Sequence, residues 1–285
     1  MEWIQDWSFL ERGLFAGMVI GFLSPVLGAF LFVRRMTIIS EGLSHVTLTG
    51  ITAGLVLMQV TAVFSWLNPL YTGLLAAIFG AFIIERLRGM YRAFEEVSVP
   101  ILLSAAVGAS AVLMSLVPTS YAEWYSYLFG SILTVRQEDV WFTIGVGAVT
   151  LLLMLLFYKE LLAISFDQEF ASVTGVPVQR VNMVFTLLLA LVIALSMKIV
   201  GILLVGALII LPTAAAYLIA KSFRRMLLLG ILFGEASVLG GITASYYLDV
   251  ATGGMIVVCG LLLFTAALVS AFVRGRTGLG EERIT

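Results

Sequence analysis

The sequence has very little of several residue types on which soluble and catalytic proteins depend. Among its 285 residues there is one cysteine, Cys259, and one histidine, His45. A single cysteine excludes a disulfide framework and a thiolate metal cluster within one chain, and a single histidine excludes the His-rich ligand sets of zinc hydrolases. Charged residues make up only 12% of the chain and nearly cancel to a net charge of −1, so there is no basic surface for nucleic acid.

Common catalytic motifs are also missing. The chain has no Gly-x-x-x-x-Gly-Lys-Ser/Thr phosphate loop, no His-Glu-x-x-His zinc motif and no Gly-x-Ser-x-Gly nucleophile motif. We therefore expect no nucleotide hydrolysis by this chain and no hydrolase site. A protein through which a solute permeates fits the remaining residues better than an enzyme does.

Apolar residues, in contrast, are abundant. Ala, Val, Ile, Leu, Met, Phe, Trp, Tyr and Cys together make up 61% of the chain, and 27 glycines add to this apolar content. Soluble domains have about 45–50% apolar residues when glycine is included, so the composition predicts an all-α polytopic membrane protein in a lipid bilayer. Closed β-barrels show alternating runs of about ten residues, which these continuous runs do not resemble.

Nine continuous apolar runs are near the length that spans a bilayer. They cover residues 10–33, 38–60, 69–87, 97–118, 139–158, 179–197, 199–219, 226–247 and 254–273. Because they leave no room for a soluble domain, we predict one transmembrane domain over residues 1–285, a bundle of about eight or nine helices. Lys198 alone separates the sixth run from the seventh, so eight or ten crossings remain open.

The basic residues are distributed unevenly between the two ends of the predicted spans. One set of alternate connections contains 13 of the 16 lysines and arginines, and the other set contains Arg12, Arg136 and Lys198. The end with more basic residues is expected on the cytoplasmic side of the membrane. This distribution predicts an N-terminus outside, a cytoplasmic C-terminus and an odd number of spans.

The first run contains glycines at a helical repeat. Gly13, Gly17 and Gly21 recur every fourth residue and therefore share one helix face, which another helix can approach closely. Pro25 frees a backbone carbonyl in the same helix, and Pro212 lies inside the seventh run. We predict that these five residues are packing or hinge positions. A dimer face and ordinary packing within one subunit both fit the glycine pattern.

The connection between the fifth and sixth runs, residues 159–178, is too polar to span the membrane. We predict a short helix that begins near Ser165 or Asp167, either of which can cap its first turn. Glu169 lies in that first turn, where a carboxylate interacts favourably with the helix dipole. Gly175 is placed to end the helix, and the proline two residues later prevents its continuation.

The same segment carries an apolar stripe. Phe166, Phe170 and Val173 are spaced i, i+4 and i+7 and therefore lie on one side of a helix. A stripe of this kind at the membrane surface can dock on lipid, on the protein's own loops or in a groove of a partner.

The second run contains two ionisable residues one helical turn apart, Glu41 and His45. Ionisable groups inside a span usually face a cavity or a partner, because exposure to lipid costs several kcal/mol. A carboxylate oxygen and an imidazole nitrogen on one face can bind one divalent cation, either zinc or manganese. The alternative is that the pair satisfies itself by hydrogen bonding in a protein-lined interior. Successive residues of a helix are rotated by about 100°, which places Thr37, Ser44, Leu48 and Thr52 within about 80° of the same face.

Another carboxylate, Glu235, lies well inside the eighth run. We predict that it is a third metal ligand or a counter-charge to the site, and the alternative is a structural hydrogen bond to a neighbouring helix. Glu138, Asp139 and Asp249 lie at the ends of spans, where we expect ordinary solvated carboxylates.

Three segments carry a resemblance to a known family. Residues 40–50, Ser-Glu-Gly-Leu-Ser-His-Val-Thr-Leu-Thr-Gly, resemble the signature of the permease subunits of zinc and manganese ATP-binding-cassette importers, the ABC-3 type of metal permease. Residues 167–171, followed by Gly-Val-Pro at 175–177, resemble the cytoplasmic coupling region of that family, and residues 200–216 resemble its most recognisable span. The resemblance extends from the first run to about residue 273.

The resemblance implies roles for individual residues. Glu41 and His45 match the family's intramembrane metal-contacting positions, although many relatives have aspartate where this chain has Glu41. No motif of the family covers Glu235. The coupling helix that contacts the ATPase would include Phe166, Asp167, Glu169, Phe170, Val173 and Gly175.

The family also implies an assembly in the bacterial plasma membrane. Two permease copies, expected as a homodimer, would bind two cytoplasmic ATPase subunits, and an extracytoplasmic binding protein would deliver the metal. Residues 43–50 resemble the zinc branch more than the manganese branch, which often has proline before the glycine. Zinc is therefore the expected cargo and manganese the alternative, with no permanently bound cofactor.

Two other classes of function fit the same residues. A secondary cation carrier would couple transport to protons through Glu41, His45 and Glu235. A structural or assembly subunit would transport nothing itself. Uptake by the chain alone in a proton gradient distinguishes the carrier from the importer, and the effect of substitutions at Glu41 and His45 tests the structural subunit.

Overall fold

The structure is a computed structural model that describes residues 7–60, 68–91, 97–116 and 126–273. The regular elements in these ranges are helices, and no β-strand is found there. In chain order the helices are α1 (Phe9–Val33), α2 (Ile38–Val60), α3 (Pro69–Met90), α4 (Ser98–Ser115), α5 (Gln137–Leu156), α6 (Tyr158–Phe166), α7 (Gln168–Val173), α8 (Val178–Ser196), α9 (Ile202–Ile219), α10 (Phe223–Leu248) and α11 (Thr252–Val273). A short 3₁₀ turn, Ile132–Thr134, precedes α5.

Every one of the nine apolar runs overlaps a long helix, and the predicted all-α membrane bundle is confirmed. Within the described ranges, eight helices are long and apolar enough to cross a membrane: α1, α3, α4, α5, α8, α9, α10 and α11. The remaining long helix, α2, has 23 residues and carries Glu41 and His45. Residues 117–118, predicted as the end of the fourth run, lie outside the described residues.

The ends of several helices follow from local sequence. Ser8 caps α1 because its hydroxyl accepts from the backbone N–H of Glu11 at 3.3 Å, while the Glu11 carboxylate accepts from the backbone N–H of Ser8 at 2.7 Å. Asn68 caps α3 because its Oδ1 accepts from the backbone N–H of Leu70 at 3.1 Å, with Pro69 at the first helical position. These caps satisfy backbone donors that would otherwise have no partner at the helix ends.

The glycine face of α1 packs inside the same chain. A Cβ atom placed on Gly17 would lie 2.7 Å from Cδ1 of Ile242, and one on Gly21 would lie 3.1 Å from Cγ2 of Val238, both in α10. Gly13 instead faces Ile132. The three glycines therefore allow α1 to contact other parts of its own chain closely. Of the two alternatives for this pattern, the structure shows packing within one subunit.

The two prolines inside helices lie at a junction of α1, α9 and α10. Pro25 has no N–H to donate to the carbonyl of Gly21, and α10 passes directly over that carbonyl at Gly234, where a Cβ would overlap it. Pro212 is buried in α9, and the hydroxyl of the next residue, Thr213, donates to the carbonyl of Pro25 at 3.3 Å.

The connection after α5 contains two helices where the sequence predicted one. The segment before Asp167 forms α6, and Asp167 caps α7 by accepting from the backbone N–H of Phe170 at 2.8 Å. Ser165 is no cap, because it lies inside α6 and its hydroxyl donates to the carbonyl of Leu161. Gly175 follows the end of α7 with φ of +90°, a conformation that glycine adopts without strain.

Candidate functional site

Glu41 and His45 form a pair in the first half of α2. Nε2 of His45 lies 3.6 Å from Oε1 of Glu41, which is longer than a normal hydrogen bond. Two metal–ligand bonds of about 2.1 Å at a tetrahedral angle would separate their ligand atoms by about 3.4 Å. The two side chains therefore have the spacing to bind one divalent cation.

The pair is accessible from outside the protomer. The Glu41 side chain is 49% exposed and the His45 side chain is 17% exposed, although α2 packs against α3, α4, α8 and α9. In a membrane span, a half-exposed carboxylate is expected to face an aqueous cavity or another chain, because lipid does not solvate it.

Neighbouring helices fix the position of the pair. Oε2 of Glu41 faces Gly206 in α9, where an added Cβ would lie 2.9 Å from that oxygen. The hydroxyl oxygen of Thr49 lies 3.0 Å from the carbonyl of His45 and 2.8 Å from the carbonyl of Ala106 in α4, and the two carbonyls share its one hydrogen as acceptors. The imidazole and the carboxylate are thus carried by a helix that α4 and α9 hold on both sides.

The hydroxyls that share the predicted polar face bond to their own helix. Ser44 donates to the carbonyl of Ser40 at 2.8 Å, and Thr52 donates to the carbonyl of Leu48 at 2.6 Å. Both side chains are buried. Glu41 and His45 are the two ionisable side chains of this face.

Glu235 stands apart from the pair. It is half-buried in α10, and within the described residues there is no group of three or more His, Cys, Asp or Glu side chains that could hold a metal ion. The structure therefore brings Glu41 and His45 together without Glu235, and any further ligands must come from water, from backbone or hydroxyl oxygens, or from another chain.

The three side chains of the predicted apolar stripe are exposed, but they do not share one helix, because Phe166 ends α6 whereas Phe170 and Val173 lie in α7. The exposed fractions are 50% for Phe166, 64% for Phe170 and 86% for Val173, and Ala171 beneath them is buried. The ring of Phe166 contacts that of Phe223 at 5.9 Å between centroids. We call Phe166, Phe170 and Val173 the α7 surface.

A buried polar network, which sequence reasoning did not find, connects α6 to the membrane helices. Arg34, which follows α1, donates from Nε to the hydroxyl of Ser165 at 2.8 Å, from Nη1 to Oδ1 of Asn182 at 3.0 Å and from Nη2 to the carbonyl of Leu161 at 3.1 Å. Its guanidinium also lies 4.8 Å from the ring centre of Phe185. Burial lowers the pKa of Arg34 to about 10, with a further lowering from Arg88, so the side chain stays cationic at neutral pH.

An ion pair of Glu85 and Arg88 lies beside the Arg34 network. Nη1 of Arg88 lies 3.0 Å from Oε1 of Glu85, and the hydroxyl of Thr186 in α8 donates to the same oxygen at 2.6 Å. Nη2 of Arg88 also contacts Sδ of Met36, in the connection between α1 and α2, at 3.6 Å. The i, i+3 spacing of Glu85 and Arg88 at the end of an apolar run was the available sequence signal.

At the opposite end of the bundle, Asp139 and Lys198 form an ion pair. Nζ of Lys198 lies 2.6 Å from Oδ2 of Asp139, and both side chains are only 16% exposed. The expectation of a solvated carboxylate at Asp139 is therefore wrong. The reason is that residues 197–201 fold between the start of α5 and Ser131, whose backbone N–H donates to the carbonyl of Lys198 at 2.8 Å.

Comparisons with known proteins cover nearly the whole chain. A family model described as the ABC 3 transport family matches residues 6–271. The manganese transport system membrane protein MntC of Halalkalibacterium halodurans is 33% identical over 264 residues, which are 93% of this chain and 88% of that protein. The manganese import system permease protein ScaB of Streptococcus gordonii is 32% identical over 273 residues, which are 96% of this chain and 94% of that protein.

Two solved structures share the fold. PsaBC from Streptococcus pneumoniae in complex with Fab superposes with a TM-score of 0.78 at 30% identity, covering 93% of this chain and 92% of that one. An inward-facing conformation of a putative metal-chelate type ABC transporter gives a TM-score of 0.73 at 15% identity, covering 91% of this chain and 85% of that one. The second likeness concerns the fold alone.

Proposed function

This chain belongs to the ABC 3 transport family, and we propose that it is the membrane-spanning subunit of an ATP-driven manganese importer. It is a multi-pass membrane protein and a transport component. The observation that carries the proposal is the pair of Glu41 and His45, 3.6 Å apart and open to a cavity or a second chain on a helix inside the bundle. A site with only two side-chain ligands suits a cation that is transported and not permanently bound.

Manganese replaces zinc as the leading cargo. The sequence of residues 43–50 favoured zinc, but the relatives MntC and ScaB are named as manganese transport and import proteins. One carboxylate and one imidazole without a thiolate suit manganese, which prefers oxygen and nitrogen donors. The same donors also bind zinc, so the eight-residue segment has no physical feature that selects between the two metals.

The energy source would be a separate ATPase that docks on the α7 surface. This chain has no phosphate loop, and Phe166, Phe170 and Val173 are apolar side chains that are half to mostly exposed. A partner groove is the occupant that links this surface to ATP-driven transport. We also propose a homodimeric permease core and an extracytoplasmic protein that delivers the metal.

The distribution of basic residues assigns the two ends of the bundle to the two sides of the membrane. Arg34 and Arg88 lie at the end that carries α6 and α7, together with the other basic-rich connections that the structure describes. We assign this end to the cytoplasm, because positive residues are retained there. The N-terminus is then outside and the C-terminus cytoplasmic, and the pair of Asp139 and Lys198 faces the outside. Four of the basic residues counted for this end lie outside the described residues: Arg92, Arg274, Arg276 and Arg283.

A physical route connects the α7 surface to the proposed cargo site. Pressure from a partner on α7 moves α6, which follows directly before it, and α6 is bonded to Arg34 through Ser165 and Leu161. Arg34 lies four residues before the first residue of α2. A displacement of α6 therefore reaches the helix that presents Glu41 and His45, so closure of the ATPase can change their access from one side of the membrane to the other.

Reconstitution in liposomes distinguishes the importer from a secondary carrier. We expect manganese accumulation only when the ATPase subunit, ATP and the metal-loaded binding protein are present. A proton gradient across liposomes that contain this chain alone is expected to drive no uptake. Manganese uptake by the chain alone in a proton gradient would replace the importer by the carrier.

A further inference from the structure

Gly206 occupies a special position among the glycines of the bundle. The nearest atoms to a Cβ at this position are Oε2 of Glu41 at 2.9 Å and the hydroxyl oxygen of Ser40 at 3.9 Å, both on α2. Among the described glycines, Gly206 is the one whose added Cβ would meet a carboxylate. The glycine thus leaves open the space into which the Glu41 side chain extends.

Other close glycines in the bundle have a different environment. A Cβ at Gly28 would overlap the backbone carbonyl of Ile209, and one at Gly17 would press on the branched side chains of Val238 and Ile242. Backbone cannot yield without moving a helix, so those glycines are required for packing. The carboxylate of Glu41 is the free end of a flexible side chain, so a methyl group at position 206 would displace the carboxylate and leave the helices in place.

The two oxygens of Glu41 face different neighbours. Oε1 faces Nε2 of His45 at 3.6 Å, whereas Oε2 faces the gap left by Gly206. The carboxylate therefore lies between the imidazole and the backbone of α9, with about half of the Glu41 side chain exposed. Its distance from the imidazole depends on two lengths, that of the side chain at position 41 and that of the side chain at position 206.

We propose that Gly206 is a positioning residue for the transported cation. Its missing side chain gives a glutamate at position 41 enough room to place its carboxylate beside His45, and the combined size of residues 41 and 206 sets the separation of the two ligand atoms. This inference rests on the proposed function, in which Glu41 and His45 bind the cargo.

The proposal predicts that positions 41 and 206 are coupled. Gly206→Ala forces the Glu41 carboxylate away from the new methyl group and distorts the ligand pair. Glu41→Asp shortens the side chain by one methylene, about 1.5 Å, which withdraws the carboxylate from position 206. The cost of Gly206→Ala should therefore be large when residue 41 is glutamate and small when it is aspartate, because contacting residues are not additive.

The experiment is manganese uptake by the complete reconstituted complex, with the half-saturating concentration and the maximal rate measured separately. We expect Gly206→Ala to raise the half-saturating manganese concentration roughly tenfold in the wild-type background and less than twofold in the Glu41→Asp background. Gly108→Ala in α4 is the matched control, because nothing lies within 4 Å of a Cβ at Gly108. It should leave the half-saturating concentration unchanged.

Three results would overturn the positioning role. They are an unchanged half-saturating concentration for Gly206→Ala, an equal increase in both backgrounds, and a membrane abundance of Gly206→Ala below about half of wild type, which would show a packing role instead. Glu41→Gln separates these failures from failure of the proposed function. If Glu41→Gln abolishes uptake while Gly206→Ala has no effect, the importer stands and the role of Gly206 falls; if Glu41→Gln transports normally, both fall.

Discussion

Nη1 of Arg34 donates a hydrogen bond of 3.0 Å to Oδ1 of Asn182, which is 148 residues further along the chain. The same guanidinium binds the hydroxyl of Ser165 and the carbonyl of Leu161, both in α6. A single side chain thus joins the end of α1, the start of α8 and α6, the helix that ends at Phe166 and precedes α7. The connection between the proposed ATPase contact and the membrane helices is polar and buried.

Arg34→Met should weaken both the fold and this connection. It removes three charge-assisted hydrogen bonds and leaves buried acceptors without that donor, which we expect to lower the free energy of unfolding by about 3 kcal/mol. Arg34→Lys keeps the charge but loses the planar fork of donors, so its effect should be intermediate. Thermal unfolding of the purified protein measures the stability, and ATPase stimulation by the metal-loaded binding protein measures the coupling. Wild-type values of both for Arg34→Met would contradict the role of the network.

Gly28→Ala tests the close contact of α1 with α9. The added Cβ would overlap the carbonyl of Ile209, which is part of the helix backbone, so the two helices must separate. We expect a loss of about 1–3 kcal/mol, typical of overpacking, seen as a lower unfolding midpoint. Gly145→Ala in α5 is the control, because nothing lies within 4 Å of a Cβ there. Equal midpoints for the two variants would refute the close approach.

The ion pair of Asp139 and Lys198 is open to a double-mutant cycle. Lys198→Met leaves a mostly buried carboxylate without its partner and should cost roughly 2–4 kcal/mol. Asp139→Asn in the same chain removes the unpaired charge, so the double variant should be more stable than Lys198→Met alone. Unfolding midpoints of the four proteins give the coupling energy. Additive losses would show that the two side chains do not interact in the membrane.

Phe170→Asp should detach the ATPase without affecting the cargo site. The side chain is 64% exposed in the α7 surface, so the substitution disturbs no core packing, but it places a charge where an apolar groove would close over it. We expect loss of ATPase co-purification and of uptake, with normal membrane abundance. Phe170→Leu keeps the surface apolar and should retain the partner. Co-purification of the ATPase with Phe170→Asp would exclude this surface as its docking site.

The parts of the molecule that were predicted correctly depend on short stretches of sequence. The nine apolar runs gave the long helices because bilayer thickness fixes their length. The pairing of Glu41 with His45 follows from the i, i+4 geometry of one helix, and the cap of Asp167 on α7 follows from residues three apart. In each of these features, a single segment contains all the interacting groups.

The features that were missed depend on how distant helices pack. Arg34 with Asn182, Asp139 with Lys198 and Glu41 with Gly206 each join residues far apart in sequence. Charge counting treated Arg34 and Lys198 as loop cations, because it contains no information on burial. The names of the relatives favour the alternative cargo, manganese, over zinc. The local sequence around His45 could not show this, since zinc and manganese accept the same carboxylate and imidazole donors.

Manganese uptake by His45→Ala is the most direct test of the proposed cargo site, measured in the complete reconstituted complex at equal membrane abundance. The loss of one of the two proposed ligands should reduce uptake at least tenfold, in line with the 10–100-fold losses that follow even from mutation of residues supporting metal ligands. Thr52→Val is the control on the same helix, because the Thr52 hydroxyl bonds only to the carbonyl of Leu48 in the described structure. We predict that His45→Ala loses uptake while Thr52→Val retains it; uptake at the wild-type rate by His45→Ala would contradict a cation site at Glu41 and His45.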